Sequence, residues 1–493
     1  MMRKDMTPRT GRGRALSCLT LLGLACAALS GLLFSDVGRA SAASVVFYVA
    51  PTGSDTNPGT SQAPFQTIRR AAAMASAPGT IVRVAPGVYA SGSAIYSQYA
   101  GTATSRIVFV SDVPWAAKIV VSGTQQAWYN SGDYVDIVGF DVTNTSSSGS
   151  LGIDNFGSYT RIIGNHVHNI AEWGCPSNGG AGIDDHNYTA SGDDVIGNVV
   201  DHIGPPTDCR WVQGIYHSNR GGHIWNNITY ASSGYGIHCW HADTDVVIAN
   251  NLVFSNRTGG VVFGAGDAPG GVTTDNMVVT NNIALANAGF GIRELGLLGA
   301  HNQVDHNDAY NNASGAYGMI NGNVATNALS VDAQFVNWQA AGGGDYHLRA
   351  SSPLTNVGTS LGAPSTDYDG NARPQGQGFD IGPYEFASPG SGASPVPTRP
   401  TASAPTAVAP TATARAATAT AQAATTASAG AEATAAAAAT TGTVTQSGRG
   451  SDGPDNGFAA LLFKAGVPVT VVTLLAIIVG VAVRFLQRRR KRW

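Results

Sequence analysis

The segment Gly236–Asn251, GIHCWHADTDVVIANN, sets two histidines, a cysteine, a tryptophan and two aspartates beside a plain run of Val, Ile and Asn. Related pentapeptides recur along the chain: GIDNF from Gly152, GIDDH from Gly182, GIYHS from Gly214, GVVFG from Gly260 and GIREL from Gly291. In a β-strand, successive side chains point to opposite faces. With the apolar residue after each glycine turned inward, the next residue points outward. Stacked strands then build one outer column of Asp154, Asp184, Tyr216, His238, Val262 and Arg293. The bland VVIANN that follows is the next wall and corner of the same coil.

Stacked strands lie about 4.8 Å apart. Asp154 and Asp184 are therefore expected as adjacent like charges, which destabilise a sheet, and Asp185 and His186 crowd the same place. Three arrangements answer such crowding: a Ca²⁺ held by Asp154, Asp184 and Asp185, acids solvated at a strand end, or a shared proton. His238 falls two rungs from Asp184, roughly 10 Å, and Arg293 four rungs away, roughly 19 Å. These groups cannot act on one sugar atom, but they can line a surface that holds several sugar units. Tyr216 and Trp240 offer flat faces suited to sugar rings, with His186 and His217 as further contacts. His217 and Cys239 fall one position on and are expected to turn inward or into the corner. Asp184, His238 and Arg293 are the candidate catalytic residues. Glycoside hydrolysis needs two carboxylates about 5–9.5 Å apart, a spacing open to Asp154/Asp184 or Asp184/Asp185.

A second motif alternates with the first: IIGNHV from Ile162, VIGNVV from Val195, IWNNIT from Ile224, IANNLV from Ile248, VTNNIA from Val279 and VDHNDA from Val304. Repeats of this period, made of short β-branched strands, indicate a β-solenoid. A propeller would need longer, four-stranded units. The recurring Asn165, Asn198, Asn227, Asn251, Asn282 and Asn307 are expected at coil corners, where stacked amides satisfy the backbone and one another. Ile68, Ala71, Ala72 and Ala75 at helical spacing predict a short helix that caps the open end.

The flanking segments are of other kinds. Residues 1–42 read as an export signal: Arg3, Lys4, Arg9, Arg12 and Arg14 precede an apolar run and the small-residue site Ala40-Ser41-Ala42. Residues 43–329 form the solenoid with its cap, and 330–386 a C-terminal cap region. Residues 387–456 are rich in Ala, Thr and Pro and cannot form a core. Residues 457–493 hold the uncharged run Ala465–Val483 and a basic tail, expected as a transmembrane helix with its basic end inside. This places the solenoid outside, anchored to the cell membrane. From Ala43 to Phe386 acidic side chains clearly outnumber basic ones, so this surface is expected to repel nucleic acids and other polyanions unless cations bridge the two. Export permits disulfides, and Cys175 with Cys209 is the favoured pair. A monomer is expected.

The repeats resemble the right-handed parallel β-helix of pectate lyases over about residues 43–325. FYVAPTGSDTNPGTSQAPFQTI and VRVAPGVYA resemble the opening of secreted β-helix proteins, family 9 pectate lyases included. DYHLRASSPLTNVG and TDYDGNARPQGQGFDIGPYEF resemble a choice-of-anchor region of bacterial surface proteins. The resemblance implies lyase-like cleavage of an acidic, pectin-like polysaccharide. In such cleavage Ca²⁺ often neutralises the uronate carboxylate, and a base removes the neighbouring proton. The family often uses Lys or Arg as that base. Lys118, in AAKIVVSG, does not match a family catalytic lysine. The alternative is a non-catalytic polysaccharide-binding or adhesive surface protein, and a weaker one is a purely structural stalk.

Overall fold

The computed structural model describes residues 45–387, apart from 177–178, 242 and 267–272. The export signal, most of the Ala/Thr/Pro-rich linker and the transmembrane segment expected from sequence lie outside the described residues. Short strands follow one another around a coil and pair in parallel with the coils above and below, so the described chain winds as a parallel β-helix. Sheet I has eleven strands, from Val46–Val49 to Ala325–Thr326. Sheet II, from Gly87–Ser91 to Asp308–Tyr310, and sheet III, from Ile95–Ser97 to Gly315–Gly318, have nine each.

The two sequence repeats mark two parts of each coil. Sheet I strands such as Arg161–Ile163 end in a turn whose first residue is left-handed: Gly164 (φ 63°), Gly197 (62°), Asn226 (55°), Asn250 (56°) and Asn281 (54°). Gly and Asn tolerate that conformation best. The next residue is the stacking asparagine. Asn165 Nδ2 donates to Asn198 Oδ1 at 3.1 Å, and the chain continues through Asn227, Asn251, Asn282 and Asn307 at 2.9–3.0 Å. A second, shorter ladder joins Asn256, Asn287 and Asn312 at the entry to sheet III. The glycine before each inward Ile is required by packing. A Cβ on Gly236 would lie 2.3 Å from Val253 Cγ1 and 2.6 Å from Thr229 Oγ1.

The interior is filled by Ile, Val and Phe from all three sheets, including Ile137, Ile153, Val167, Ile183, Val200 and Ile215. Helix α1, Ile68–Met74, closes the N-terminal end. The Thr67 side chain accepts from the Arg70 N–H, and Ile68, Ala71 and Ala72 are buried.

Segment 330–386 does not simply close the far end. It runs back along the outer face of sheet II, where Phe335, Tyr346, Leu348, Leu354, Ile381 and Tyr384 bury Ile228, Tyr230, Leu252, Phe254, Ile283 and Leu285. Polar seams fix it, among them Asn250 Nδ2 to the Gly382 carbonyl at 2.9 Å and Asn281 Nδ2 to the Thr359 carbonyl at 2.7 Å. The reason is that outward positions of sheet II are apolar over these coils and need cover.

Candidate functional site

The pairing registers of sheet III run Tyr96, Tyr129, Asp154, Asp184, Tyr216, His238, Val262 and Arg293 through successive strands. The outer column expected from the pentapeptides is therefore present, extended by two tyrosines on the N-terminal side. The strand context explains the alternation: Ile153, Ile183, Ile215 and Ile237 point inward and are fully buried.

Asp154 and Asp184 sit side by side, and the group between them is His186, which follows the strand Gly180–Asp185. His186 Nδ1 lies 3.1 Å from Asp184 Oδ2 and 3.4 Å from Asp154 Oδ1. Burial opposes a charge on His186, but the hydrogen bond to Asp184 and the charges of Asp184, Asp154 and Asp185 win, so its pKa rises to about 9. Burial, then the charge of Asp184, pushes the Asp154 carboxyl up to about 7. An imidazolium thus offsets the carboxylate repulsion.

Asp185 does not belong to that group: the side chains whose donor atoms lie within 4.8 Å of one another are Asp154, Asp184 and His186, not the three aspartates expected from sequence. One residue further along a strand means the other face, so Asp185 points into the coil and is fully buried. There it joins a column directly behind the outer one. Asn130 Nδ2 donates to Asn155 Oδ1 at 2.8 Å, and Asn155 Nδ2 to Asp185 Oδ1 at 2.9 Å. His217 Nε2 then lies 3.4 Å from Asp185 Oδ2, and His217 Nδ1 2.7 Å from Asp243 Oδ1. His217 is fully buried, so it is no substrate contact. Burial raises the Asp243 carboxyl to about 7 and pushes the Cys239 thiol up.

The outer column is accompanied by rings. Tyr96 and Tyr129 are 5.9 Å apart, Tyr129 and Phe156 6.1 Å, and Phe156 stands edge-on to His186 at 4.9 Å. Past the acid pair, Tyr188 lies 4.6 Å from His241, and His241 6.4 Å from Tyr216. His238 is boxed by Tyr216, Tyr235 and Trp240 at 5.2–5.6 Å and is only 9% exposed. Burial, then the neighbouring His241, lowers its pKa to about 3. A weakly basic, enclosed imidazole is poorly suited to proton abstraction, against the role given it from sequence. Arg293 stacks over Phe290 at 5.3 Å and stands four strands from Asp184. Trp240 is half-buried at the rim of the His238 box. Lys118 is exposed on sheet II, away from this face.

Phe156, Tyr188 and His241 were missed on sequence. They follow the strand ends, beyond the alternating positions: Phe156 closes its pentapeptide, and Tyr188 and His241 come one or two residues after theirs. Cys175 and Cys209 form a disulfide with Cα atoms 5.6 Å apart, while Cys239 is free and buried.

Solved structures similar to this chain include three polysaccharide lyases. Pectate lyase Pel9A is 18% identical, with 69% of this chain and 96% of that chain covered and a TM-score of 0.49. A rhamnogalacturonan lyase is 14% identical over 60% and 91%, with a TM-score of 0.36. An alginate lyase from Paenibacillus sp. str. FPU-7 is 14% identical over 52% and 92%, with a TM-score of 0.31. No curated protein matches the chain in sequence. Residues 47–328 match the sequence model of the Pel9A-like right-handed β-helix region, and the chain belongs to that family.

Proposed function

We propose that the outer face of sheet III binds an acidic polysaccharide and that the protein is a carbohydrate-active, lyase-like enzyme. The observation that carries this reading is the convergence of Asp154, Asp184 and His186 within a strip of aromatic rings several strands long. Rings at this spacing suit successive sugar units. The His186 imidazolium supplies a charge-assisted hydrogen-bond donor for a uronate carboxylate. Asp154, with a pKa near neutrality, is the group beside it suited to accept a proton, but it is only 4% exposed, so abstraction there requires the substrate to reach into the wall.

Asp154 and Asp184 also fit a Ca²⁺ as two oxygen ligands, since Asp154 Oδ1 is buried without a hydrogen-bond partner. When bound, the ion neutralises the uronate carboxylate and so acidifies the adjacent C–H. It would also hold Asp154 ionised. The base and ligand roles of Asp154 therefore exclude each other, and sensitivity to a chelator decides between them.

A non-catalytic adhesive role is the second reading. It is favoured by the enclosure of His238 and by the stacking of Arg293 on Phe290, which leave no sequence-named base open beside the acid pair. Export, with the β-helix held outside by a C-terminal membrane helix, rests on the sequence of residues 1–42 and 457–493. The test is incubation of the full-length chain with polygalacturonate, with and without Ca²⁺ or chelator, following the ultraviolet absorbance of an unsaturated product. Product formation supports the enzyme. Retained binding without product supports the adhesive reading, and absence of both contradicts the proposal.

A further inference from the structure

The outer face of sheet II changes character along its length. Its C-terminal part is apolar and covered by segment 330–386. Its N-terminal part carries Asp141, His166, His168 and Asp201 on three successive strands, Asp141–Asn144, His166–Ile170 and Val199–Ile203. Asp141 pairs in register with His166, and His168 with Asp201. None of these residues reaches the sheet III face.

Asp141, His166 and His168 bring one carboxylate oxygen and two imidazole nitrogens within 4.8 Å of one another. The two rings stack at 4.1 Å, with 17° between their planes. Each ring has one nitrogen engaged from behind. His166 Nε2 lies 2.8 Å from Asp201 Oδ2, and His168 Nδ1 hydrogen-bonds to Asn169 Oδ1. The Asn169 amide is oriented by its own Nδ2, which donates to Glu172 Oε1 at 2.9 Å. A neutral imidazole that gives its N–H to such an acceptor presents a lone pair on its other nitrogen. Those other nitrogens, His166 Nδ1 and His168 Nε2, both face Asp141, at 3.4 and 3.2 Å. His168 Nε2 is within hydrogen-bonding distance of Asp141 Oδ1, and a dication in place of the proton between each nitrogen and the carboxylate would be bound by all three side chains at once.

We infer that Asp141, His166 and His168 hold one first-row transition-metal dication, with Asp201 and Asn169 orienting the two imidazoles. Two imidazole nitrogens and one carboxylate suit Zn²⁺ or its neighbours better than Ca²⁺ or Mg²⁺, which prefer all-oxygen sites. A carboxylate or carbonyl behind each ligating histidine is the usual support of such a site. The three ligand side chains are 14–21% exposed, so the ion has a path from solvent. It would clip two coils together directly and a third through Asp201. The competing occupant is a proton shared by His166 and Asp141, which needs no metal.

The experiment uses the untagged full-length chain, stripped with chelator and titrated with Zn²⁺ by calorimetry. Wild type and Asp184→Asn are expected to bind a Zn²⁺ equivalent that His168→Gln and Asp141→Asn lose. Asp201→Asn is expected to weaken that equivalent by about 10–100-fold while keeping the ligands. Circular dichroism of the stripped forms checks that each variant is folded. If His168→Gln fails to fold, Asp201→Asn decides. The inference is overturned if wild type takes up no Zn²⁺, or if the folded ligand variants and Asp201→Asn bind it as wild type does.

Discussion

Asp184 and Asp185 are neighbours in the chain and face opposite sides of the coil wall. Asp184 meets His186 on the outer face, and Asp185 meets Asn155 and His217 inside. The two positions therefore separate function from stability. Asp184→Asn should abolish polygalacturonate turnover or retention while changing stability by no more than about 1 kcal/mol. Asp185→Ala should cost about 3–5 kcal/mol, because it leaves the buried His217 and Asn155 short of a partner. Denaturant titration of both variants, beside the activity assay, checks the pair.

The amide ladder makes a second prediction. Asn227 Oδ1 accepts from the Asn198 N–H at 2.9 Å and from Asn198 Nδ2 at 3.0 Å, and Asn227 Nδ2 donates to the Val195 carbonyl at 2.8 Å and to Asn251 Oδ1. Asn227→Ala removes all four and strands buried groups on both neighbouring coils. A loss of about 2–4 kcal/mol is expected, read as a lower urea midpoint with an unchanged slope.

The ring strip predicts how sugar binding is distributed. Tyr188 is 42% exposed, so its truncation costs little stability. Tyr188→Ala and Tyr216→Ala should each weaken retention in polygalacturonate-containing native gels about tenfold, or roughly 1.4 kcal/mol. Lys118→Ala, on sheet II, should leave retention unchanged.

Asp308 supplies a pH signature. One oxygen accepts from the Val331 N–H at 2.9 Å, and the other is buried without a partner. Burial raises the carboxyl from 3.8 to about 7. The folded pKa lies above the unfolded one, so the native state holds this proton more tightly. The associated stability is complete below about pH 4 and is lost as pH rises through about 7, on the order of 4 kcal/mol in all. Asp308→Asn keeps a neutral side chain at every pH. Its melting temperature should exceed that of wild type at pH 8, and the difference should vanish near pH 4.

Much of the architecture was legible because solenoid periodicity writes the same local requirement again and again. The left-handed corner admits Gly or Asn, the ladder needs an amide, and the inward strand position needs Ile or Val. The outer column followed from the two-residue alternation of a strand. What did not follow lies where that alternation ends. Phe156, Tyr188 and His241 sit in turns, whose path is set by contacts between coils. Asp185 was assigned by chain proximity to Asp184, although one step along a strand reverses the face. The inward turn of His217 followed from the alternation, and its burial between Asp185 and Asp243 removes the substrate contact also assigned to it. The return of segment 330–386 over sheet II depends on apolar outward positions scattered over three coils.

The most direct test of the sheet III assignment is a structure of the protein with a bound oligogalacturonate. The sugar chain is expected along the outer face of sheet III, with rings against Tyr188 and Tyr216 and one uronate carboxylate at Asp154, Asp184 and His186. An oligosaccharide seated on sheet I, on sheet II or on segment 330–386, with that trio untouched, would contradict the account.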